Sequence, residues 1–203
     1  MTSTVEEIVS AEWALFDQVH NLGGRAACQD DEVTFIMMRS SQLMTWSPDL
    51  QESYLQDIRA AMAAGRNLLS EKYAYMMERT ASDEYKKISD QLPPRMLTKD
   101  ILIEQICAAH VAWLESLAKR YPRLTGRGRP IRKSADSPGI TSFETYLWGE
   151  LATYSMRTVQ LYAAYVEKLK REGRNLNEMI LQNMIRQYGD ASLEAAEARL
   201  SGT

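Results

Sequence analysis

The sequence predicts an all-α fold, a single compact helical domain of 203 residues built from two tandem four-helix repeats. Apolar residues recur at helical spacing, and the chain has neither a convincing period-two strand nor an Asn-Gly or Asp-Gly hairpin turn. The chain also repeats itself: a shift of 108 positions places residues 35–76 over 143–184, ungapped and with ten identities. We therefore expect repeat one over about residues 4–90 and repeat two over about 98–192, related by a pseudo-twofold axis.

Four helices are predicted in the first repeat. Thr4 and Glu7 form a capping box before the first helix, which should end near residues 21–24. Gly65 can end a helix in a left-handed conformation, and Asn67 is a good cap for the next one. The prolines of 92–94 begin the hinge to the second repeat. The helices are expected over residues 4–21, 33–46, 49–64 and 67–79.

The second repeat is predicted to copy this plan. Thr141 and Glu144 form another capping box, and Asn175 caps the last long helix as Asn67 does in the first repeat. We expect the long central helix to bend near Ser155, where the first repeat has its break. The helices are expected over residues 98–120, 143–171 and 175–189.

A basic insertion separates the first two helices of the second repeat. Trp13 and Trp113 take the same place at a shift of 100 rather than 108, so the loop 121–139 has gained eight residues. This segment is either a solvated basic loop or a strip that binds phosphate or carboxylate. Its cations are Arg120, Arg123, Arg127, Arg129, Arg132 and Lys133.

Composition limits the classes of function. The net charge of −3 gives no reason to expect nucleic acid as a partner. The N-terminus lacks the basic and apolar regions of a signal peptide, and no uninterrupted apolar run approaches 18 residues, so we expect no membrane partner. Two distant cysteines indicate neither a disulfide framework nor a CxxC metal site, which favours a reducing, cytoplasmic location.

Polar residues on apolar helical faces mark the candidate site, because a charge removed from water is costly unless it is paired or used. Gln42 and Glu150 are repeat partners, so both should face the interface between the repeats. Glu12 and His110 come from equivalent helices. These residues form either a satisfied structural network or the wall of a ligand cavity. The predicted cluster comprises Glu12, Arg39, Gln42, His110 and Glu150.

Each member of this cluster has an expected role. Glu150 is the predicted base, with a pKa raised towards neutrality by burial, and His110 the acid or orienting group. Glu150→Gln should then reduce the rate on the order of 100-fold and change stability by about 1 kcal/mol. Glu12 completes the predicted catalytic group. The residues expected to bind or position substrate are Arg25, Arg39, Gln42, Asp31 and Tyr154.

The loop 23–31 is a second candidate site. Arg25 could bind an anionic group of a substrate there, while Asp30 or Asp31 is most simply the cap of the second helix. Cys28 is a potential nucleophile, although no histidine lies nearby in sequence, and a buried inert thiol is the simpler interpretation.

A metal ion is a further alternative, because helical bundles build carboxylate sites. The usual Glu-x-x-His pair is absent and the chain holds only two histidines, so no cofactor is favoured. The oligomeric state stays open.

Several strings in the chain, GGRAACQDD, MRSSQLMTW, SYLQDI, GRNLLSEKYAYMM and FETYLWGELATYS, resemble the uncharacterised bacterial family DUF4125 over nearly its whole length. The resemblance implies a bacterial protein and brings no activity, cofactor or catalytic residue. From the residues we expect a cytoplasmic enzyme of lyase, isomerase or hydrolase type. It would act on a small polar or anionic molecule by general acid/base chemistry between the repeats. The alternatives are a non-catalytic helical ligand-binding or partner module and a carboxylate/His metal-dependent enzyme.

Overall fold

The computed structural model describes residues 2–20 and 24–201, and this part of the chain is all-α, with eleven α-helices and no strand. Short 3₁₀ turns lie at Ala27–Asp30, Ser89–Gln91 and Lys133–Ala135. The α-helices are α1 Ser3–Asp17, α2 Glu32–Leu43, α3 Pro48–Ala63, α4 Leu68–Thr80, α5 Ser82–Ile88, α6 Leu97–Arg120, α7 Pro122–Thr125, α8 Phe143–Thr153, α9 Met156–Arg171, α10 Leu176–Gln187 and α11 Leu193–Arg199.

The joints of the two halves have the same local chemistry. Ser47 and Ser155 cap α3 and α9, each accepting a backbone N–H three residues ahead. Gly65 and Gly173 follow these helices with φ of 68° and 65°, a conformation that a side chain would strain. Helices α4 and α10 then begin after asparagine caps, as the sequence predicts.

The two cap asparagines reveal which residues of α1 and α6 correspond. Asn67 Nδ2 donates to Leu15 O at 2.8 Å, and Asn175 Nδ2 donates to Trp113 O at 3.0 Å. Leu15 and Trp113 therefore take equivalent places, at a shift of 98 positions. The pairing of Trp13 with Trp113 was wrong by two residues, because it rested on residue type and the equivalence is set by what each asparagine reaches.

The last long helix of each half packs on both halves. Helix α1 packs on α2, α3 and α4, and α6 packs in the same way on α8, α9 and α10. Helix α4 also packs on α8 of the other half, α10 packs on α2, and α3 packs on α9. This reciprocal pairing is what a pseudo-twofold arrangement requires. Superposition of the two halves stays a prediction.

Four aromatic rings meet where the halves join. The Tyr54 and Tyr154 centroids lie 4.5 Å apart, and those of Trp46 and Tyr162 lie 5.3 Å apart. Each contact joins a residue of one half to a residue of the other. At the shift of 108 Trp46 aligns with Tyr154 and Tyr54 with Tyr162, so the two contacts correspond to each other. The surrounding buried core draws side chains from both halves.

Two predicted capping boxes lie in the wrong place. Thr2 caps α1 instead of Thr4, and Ser142 caps α8 instead of Thr141. Both observed caps have extended backbone, which a capping side chain needs to reach the first free N–H groups. Helix α1 ends at Asp17 and residues 18–20 are not helical, so the predicted helix was too long; residues 21–23, near its predicted end, lie outside the described residues.

The long helix predicted over 143–171 is two helices. Helix α8 ends at Thr153, Tyr154 has extended backbone, and Ser155 caps α9. The helix is therefore interrupted here and not only bent. The break has a second support, because Asp57 Oδ2 accepts the Ser155 backbone N–H at 2.9 Å. The first half breaks at the same place, between α2 and α3.

Helix α6 is long and apolar enough by length and composition to cross a membrane. It packs on four other helices, α7, α8, α9 and α10, and buries Ile103, Ile106, Cys107 and Leu117. Both cysteines are free thiols.

Candidate functional site

A line of four charges crosses the interior between α1, α2, α4 and α8. Glu12 of α1 receives Arg39 Nε at 2.7 Å and Nη2 at 2.6 Å. Arg39 of α2 also reaches Glu150 Oε1 of α8 at 3.1 Å, and Lys72 Nζ of α4 donates to Glu150 Oε2 at 2.6 Å. The line therefore alternates acid, base, acid, base, and its formal charge is zero.

Neutral polar groups complete the line. Tyr54 Oη donates to Glu12 Oε1 at 2.6 Å, and Tyr154 Oη donates to Glu150 Oε1 at 2.8 Å. Gln42 Oε1 accepts from Arg39 Nη1 at 2.7 Å. Every carboxylate oxygen of the line has a donor, which burial of such groups demands.

A close helix crossing brings Lys72 to Glu150. A Cβ at Gly149 of α8 would lie 2.9 Å from Lys72 O and 2.7 Å from Met76 Cγ. Glycine therefore permits α4 and α8 to approach each other at this point. Glu150 is the next residue along α8, so the crossing presents it to the Lys72 ammonium.

The electrostatics of Glu150 contradict the expectation of a raised pKa. Burial by itself would raise the pKa, but the charges of Arg39 and Lys72 outweigh it and hold the Glu150 pKa well below its ordinary value. Burial likewise opposes the Arg39 charge, and the nearby Glu12 and Glu150 outweigh it and raise the Arg39 pKa. The pKa of Tyr54 rises through burial and the charge of Glu12, so this phenol stays a donor.

One face of this line forms the floor of a cavity of about 220 Å³, which we term the charged cavity. Tyr146 carries two cations on its ring, with Lys72 Nζ 3.6 Å and the Arg129 guanidinium carbon 4.7 Å from the centroid. The aromatic walls include Phe16, Phe35, Tyr73 and Tyr146, and Cys28, Asp31 and Arg129 also line the cavity.

A second cavity of about 400 Å³, termed the apolar cavity, lies between α6, α8 and α10. Met38, Arg129, Tyr146 and Glu150 line both cavities. The apolar side chains around the second one are Leu114, Leu117, Leu124, Phe143, Leu147, Ile180, Leu181 and Met184.

His110 lies at the apolar cavity and makes no hydrogen bond to the charged line. Asn177 Nδ2 donates to His110 O at 2.8 Å, which orients the amide so that Asn177 Oδ1 accepts from His110 Nδ1 at 2.7 Å. Nε2 then accepts from Tyr162 Oη at 3.1 Å. Burial lowers the His110 pKa to about 4. The imidazole is therefore neutral at neutral pH, which corrects the expectation of a group titrating near pH 7.

Each charge in the line has an uncharged counterpart in the other half. The tyrosines establish the relation: Tyr54 donates to Glu12, and the aligned Tyr162 donates to His110, at the same shift of 98 that the asparagine caps indicate. The counterparts are Glu12 and His110, Arg39 and Leu147, Lys72 and Ile180, and Glu150 and Gln42.

A family model described as "Protein of unknown function (DUF4125)" matches residues 2–198. The chain belongs to the DUF4125 family. No curated protein and no solved structure matches it. The matched range contains the charged line and both cavities, so these features lie within the DUF4125 domain.

Two predicted binding residues take local structural roles in this DUF4125 chain. Arg25 pairs with Asp17 at 2.6 Å and Asp30 at 2.7 Å, tying the 3₁₀ turn to the end of α1, and lines neither cavity. Asp31 caps α2 by accepting Thr34 N at 3.0 Å, and it stands at the charged cavity.

Gln42 and Tyr154 each make one hydrogen bond to the charged line. The sequence analysis did not predict two further residues of this group, Lys72 and Tyr54. Lys72 aligns with apolar Ile180, a signal that position 72 is interior, and Tyr54 is one of the ten identities. Cys28 is exposed beside the cavity, whereas a buried thiol was expected.

Most of the basic insertion is neutralised by acids. Arg120 pairs with Glu178 at 3.0 Å, Arg132 with Glu115 at 2.6 Å, and the other two such cations, Arg123 and Lys133, also have carboxylate partners. Arg129 has no carboxylate partner among the residues described. Its Nη1 donates to Thr141 O at 3.3 Å.

Within the described ranges, no group of three or more His, Cys, Asp and Glu side chains is placed to hold a metal ion. The carboxylates of Glu12 and Glu150 face Arg39 and Lys72 instead, and His110 belongs to the other cavity.

Proposed function

We propose that this chain binds a small polar molecule in the charged cavity, with the buried ion pairs as the recognition surface. One observation carries the proposal: at all four matching positions the other half holds uncharged residues. Burying ions is expensive, and replacing a buried ion pair by apolar groups is often neutral or stabilising. Because the fold accepts neutral residues at the equivalent positions, the charges are not required to build it. A ligand supplies the reason to retain them.

The arrangement of the cavity favours a ligand that bears both charges. Carboxylates and cations alternate along the floor, so an ammonium group would be drawn to Glu12 or Glu150 and an anionic group to Arg39 or Lys72. The aromatic walls suit an apolar or aromatic side chain. A cavity of about 220 Å³ limits the occupant to the size of an amino acid or a similar zwitterion.

Binding is a better-supported function than acid/base catalysis by Glu150. A carboxylate with a lowered pKa is a weak base at neutral pH, and general-base catalysis is most efficient when the pKa lies near the working pH. The neutral His110 is hydrogen-bonded on both ring nitrogens and lies on the other cavity. The proposal includes a cytoplasmic bacterial setting, supported by the free thiols and the family resemblance.

The test replaces the outer ion pair by the residues of the other half. Lys72→Ile with Glu150→Gln leaves the net charge unchanged. The matched control is Lys170→Ile with Glu167→Gln, which removes an exposed 2.7 Å pair on α9. Thermal shift is measured with each of the twenty amino acids and with small zwitterions as probes.

The proposal predicts that at least one probe raises the Tm of the wild type and of the control but leaves the Tm of the cavity variant unchanged. It fails if no probe shifts the wild-type Tm, or if the cavity variant responds like the control.

A further inference from the structure

The apolar cavity is a second potential binding site, separate from the function proposed above. Its walls are mainly leucine, isoleucine, phenylalanine and methionine side chains from α6, α8 and α10. Three of its neutral polar residues form one hydrogen-bonded group, in which Asn177 and Tyr162 both bond to His110. They therefore have little capacity left to solvate a charged ligand. Cavities of 300–1,000 Å³ with apolar walls are typical small-molecule sites, so a hydrocarbon group suits this one.

Arg129 adds a cation to the lining of that cavity, and it lines the charged cavity as well. Its guanidinium lies over the Tyr146 ring, 4.7 Å from the centroid, and one N–H bonds to the Thr141 carbonyl. Four other cations of the same insertion have carboxylate partners within 4 Å, whereas Arg127 and Arg129 have none in the described part of the chain, and of these two only Arg129 lines the cavity. The guanidinium fork matches a carboxylate, and such charge-assisted pairs are strong.

We propose that the apolar cavity binds a small amphiphilic carboxylate, with its carboxylate on Arg129 and its hydrocarbon part among the side chains of α6 and α10. The apolar walls and the cation without a carboxylate partner are complementary to the two ends of such a molecule. Glu150 of the charged line also lines this cavity, but its oxygens accept from Arg39, Lys72 and Tyr154, so the proposed carboxylate contact is with Arg129 alone and does not depend on the function proposed above.

Binding of straight-chain carboxylates tests the proposal. Hexanoate, octanoate and decanoate are titrated below their aggregation concentrations by calorimetry, with octan-1-ol as the uncharged analogue of octanoate. Affinity should rise about fourfold for each added methylene group until the cavity is full. Octanoate should bind at least about tenfold more tightly than octan-1-ol, because only the carboxylate pairs with Arg129.

Two arginines of the same loop provide a matched pair of variants. Arg129→Gln should weaken octanoate binding about tenfold or more and leave octan-1-ol binding unchanged. Arg127→Gln removes an equally exposed cation two residues away and should change neither. Both substitutions are on exposed positions, so the variants should fold. Leu181→Trp fills the cavity and should abolish binding of both ligands.

Several results would overturn the proposal. The proposal fails if decanoate does not bind the wild type at all. It also fails if Arg129→Gln and Arg127→Gln weaken octanoate binding equally, because the effect is then one of net charge. Loss of octanoate binding in Lys72→Ile with Glu150→Gln, combined with normal binding in Leu181→Trp, would place the carboxylate in the charged cavity instead.

Discussion

The charged cavity lies among α1, α2, α4 and α8 and the apolar cavity among α6, α8, α10 and α2, yet only the charged cavity is lined by all four charges of the line. In both, a tyrosine hydroxyl donates to a residue of the first long helix of its half, and the identity of that acceptor makes the difference. Glu12 is an anion and holds Arg39, whereas neutral His110 is accompanied by Leu147 at the matching position. Glu150 similarly holds Lys72, whereas Gln42 aligns with it and Ile180 with Lys72. A buried charge requires a countercharge, so where one half has a buried ion pair, the aligned positions of the other half are both uncharged.

The largest expected effect comes from breaking one such pair. Glu150→Gln gives the charged cavity the residue found at the counterpart position, but it leaves Lys72 without an anion. We expect the free energy of unfolding to fall by about 3–5 kcal/mol, as when one partner of a buried ion pair is removed. Adding Lys72→Ile should recover most of this loss. Urea denaturation measures both, and a loss of only about 1 kcal/mol in the single variant, the expectation from an amide swap alone, would contradict the comparison.

Acid should destabilise the apolar cavity before the charged one. The pKa of His110 is about 4 in the folded chain and 6.5 in the unfolded chain. Between these pH values His110 is protonated in the unfolded chain and neutral in the folded chain. The stability contributed by neutral His110 is therefore complete above pH 6.5 and is lost as the pH falls towards 4. The loss is on the order of 3 kcal/mol.

The pKa of Glu150 is also lowered in the folded chain, but its effect on stability falls at a lower pH. Its lowered pKa contributes stability that is present above the ordinary value of 4.5 and is lost only as the pH falls below it. The free energy of unfolding, measured by chemical denaturation, should therefore depend less on pH between pH 7 and 4.5 in His110→Gln than in the wild type. The exposed His20 provides the control, and a flattening that also occurs in His20→Gln would remove His110 as the cause.

The two aligned tyrosines give a smaller, direct comparison. Tyr54→Phe removes a hydrogen bond to the Glu12 carboxylate and should cost about 1.5–3 kcal/mol, whereas Tyr162→Phe removes one to a neutral imidazole and should cost about 1 kcal/mol. Both hydroxyls are buried and both substitutions preserve the ring, so packing is matched. Equal losses in thermal or urea unfolding would show that the charge of the acceptor does not distinguish the cavities.

The smallest difference is expected at the helix caps. Asn67→Ala and Asn175→Ala each remove a cap and a bond to the neighbouring long helix, and each should cost about 1–2 kcal/mol. The two losses should differ by less than those of the tyrosine pair, since the joints are chemically alike. A large inequality would mean that the halves are not equivalent even where their sequences are identical.

Local chemistry made much of the fold predictable. The all-α class and the joint at Gly65 and Asn67 follow from residues close together in the chain, whose backbone preferences act wherever they are placed. The two misplaced capping boxes mark the limit of this reasoning. Neighbouring Thr and Ser residues compete for a cap, and the extended backbone that a cap needs is found at Thr2 and Ser142, which the sequence pattern does not reveal.

The candidate site was predictable only in part. Glu12, Arg39, Gln42 and Glu150 interrupt apolar stripes, and the structure brings them together. Lys72 was missed because a lysine near a helix start is usually solvated, and its burial here depends on the α4–α8 crossing at Gly149. His110 interrupts a stripe in the same manner, yet it belongs to the other cavity.

The sequence by itself determined the all-α class, the joints at Gly65 and Gly173 and which polar groups interrupt apolar faces, because these follow from periodicity, turn chemistry and the cost of exposing apolar faces. It did not predict α5, α7 or α11. Only the tertiary structure decided which charge meets which, that α1 and α6 correspond at a shift of 98, and that the Glu150 pKa falls instead of rising. Those outcomes depend on distances of a few ångströms between helices remote in sequence, and electrostatic interactions in a buried site change sign and size over such distances.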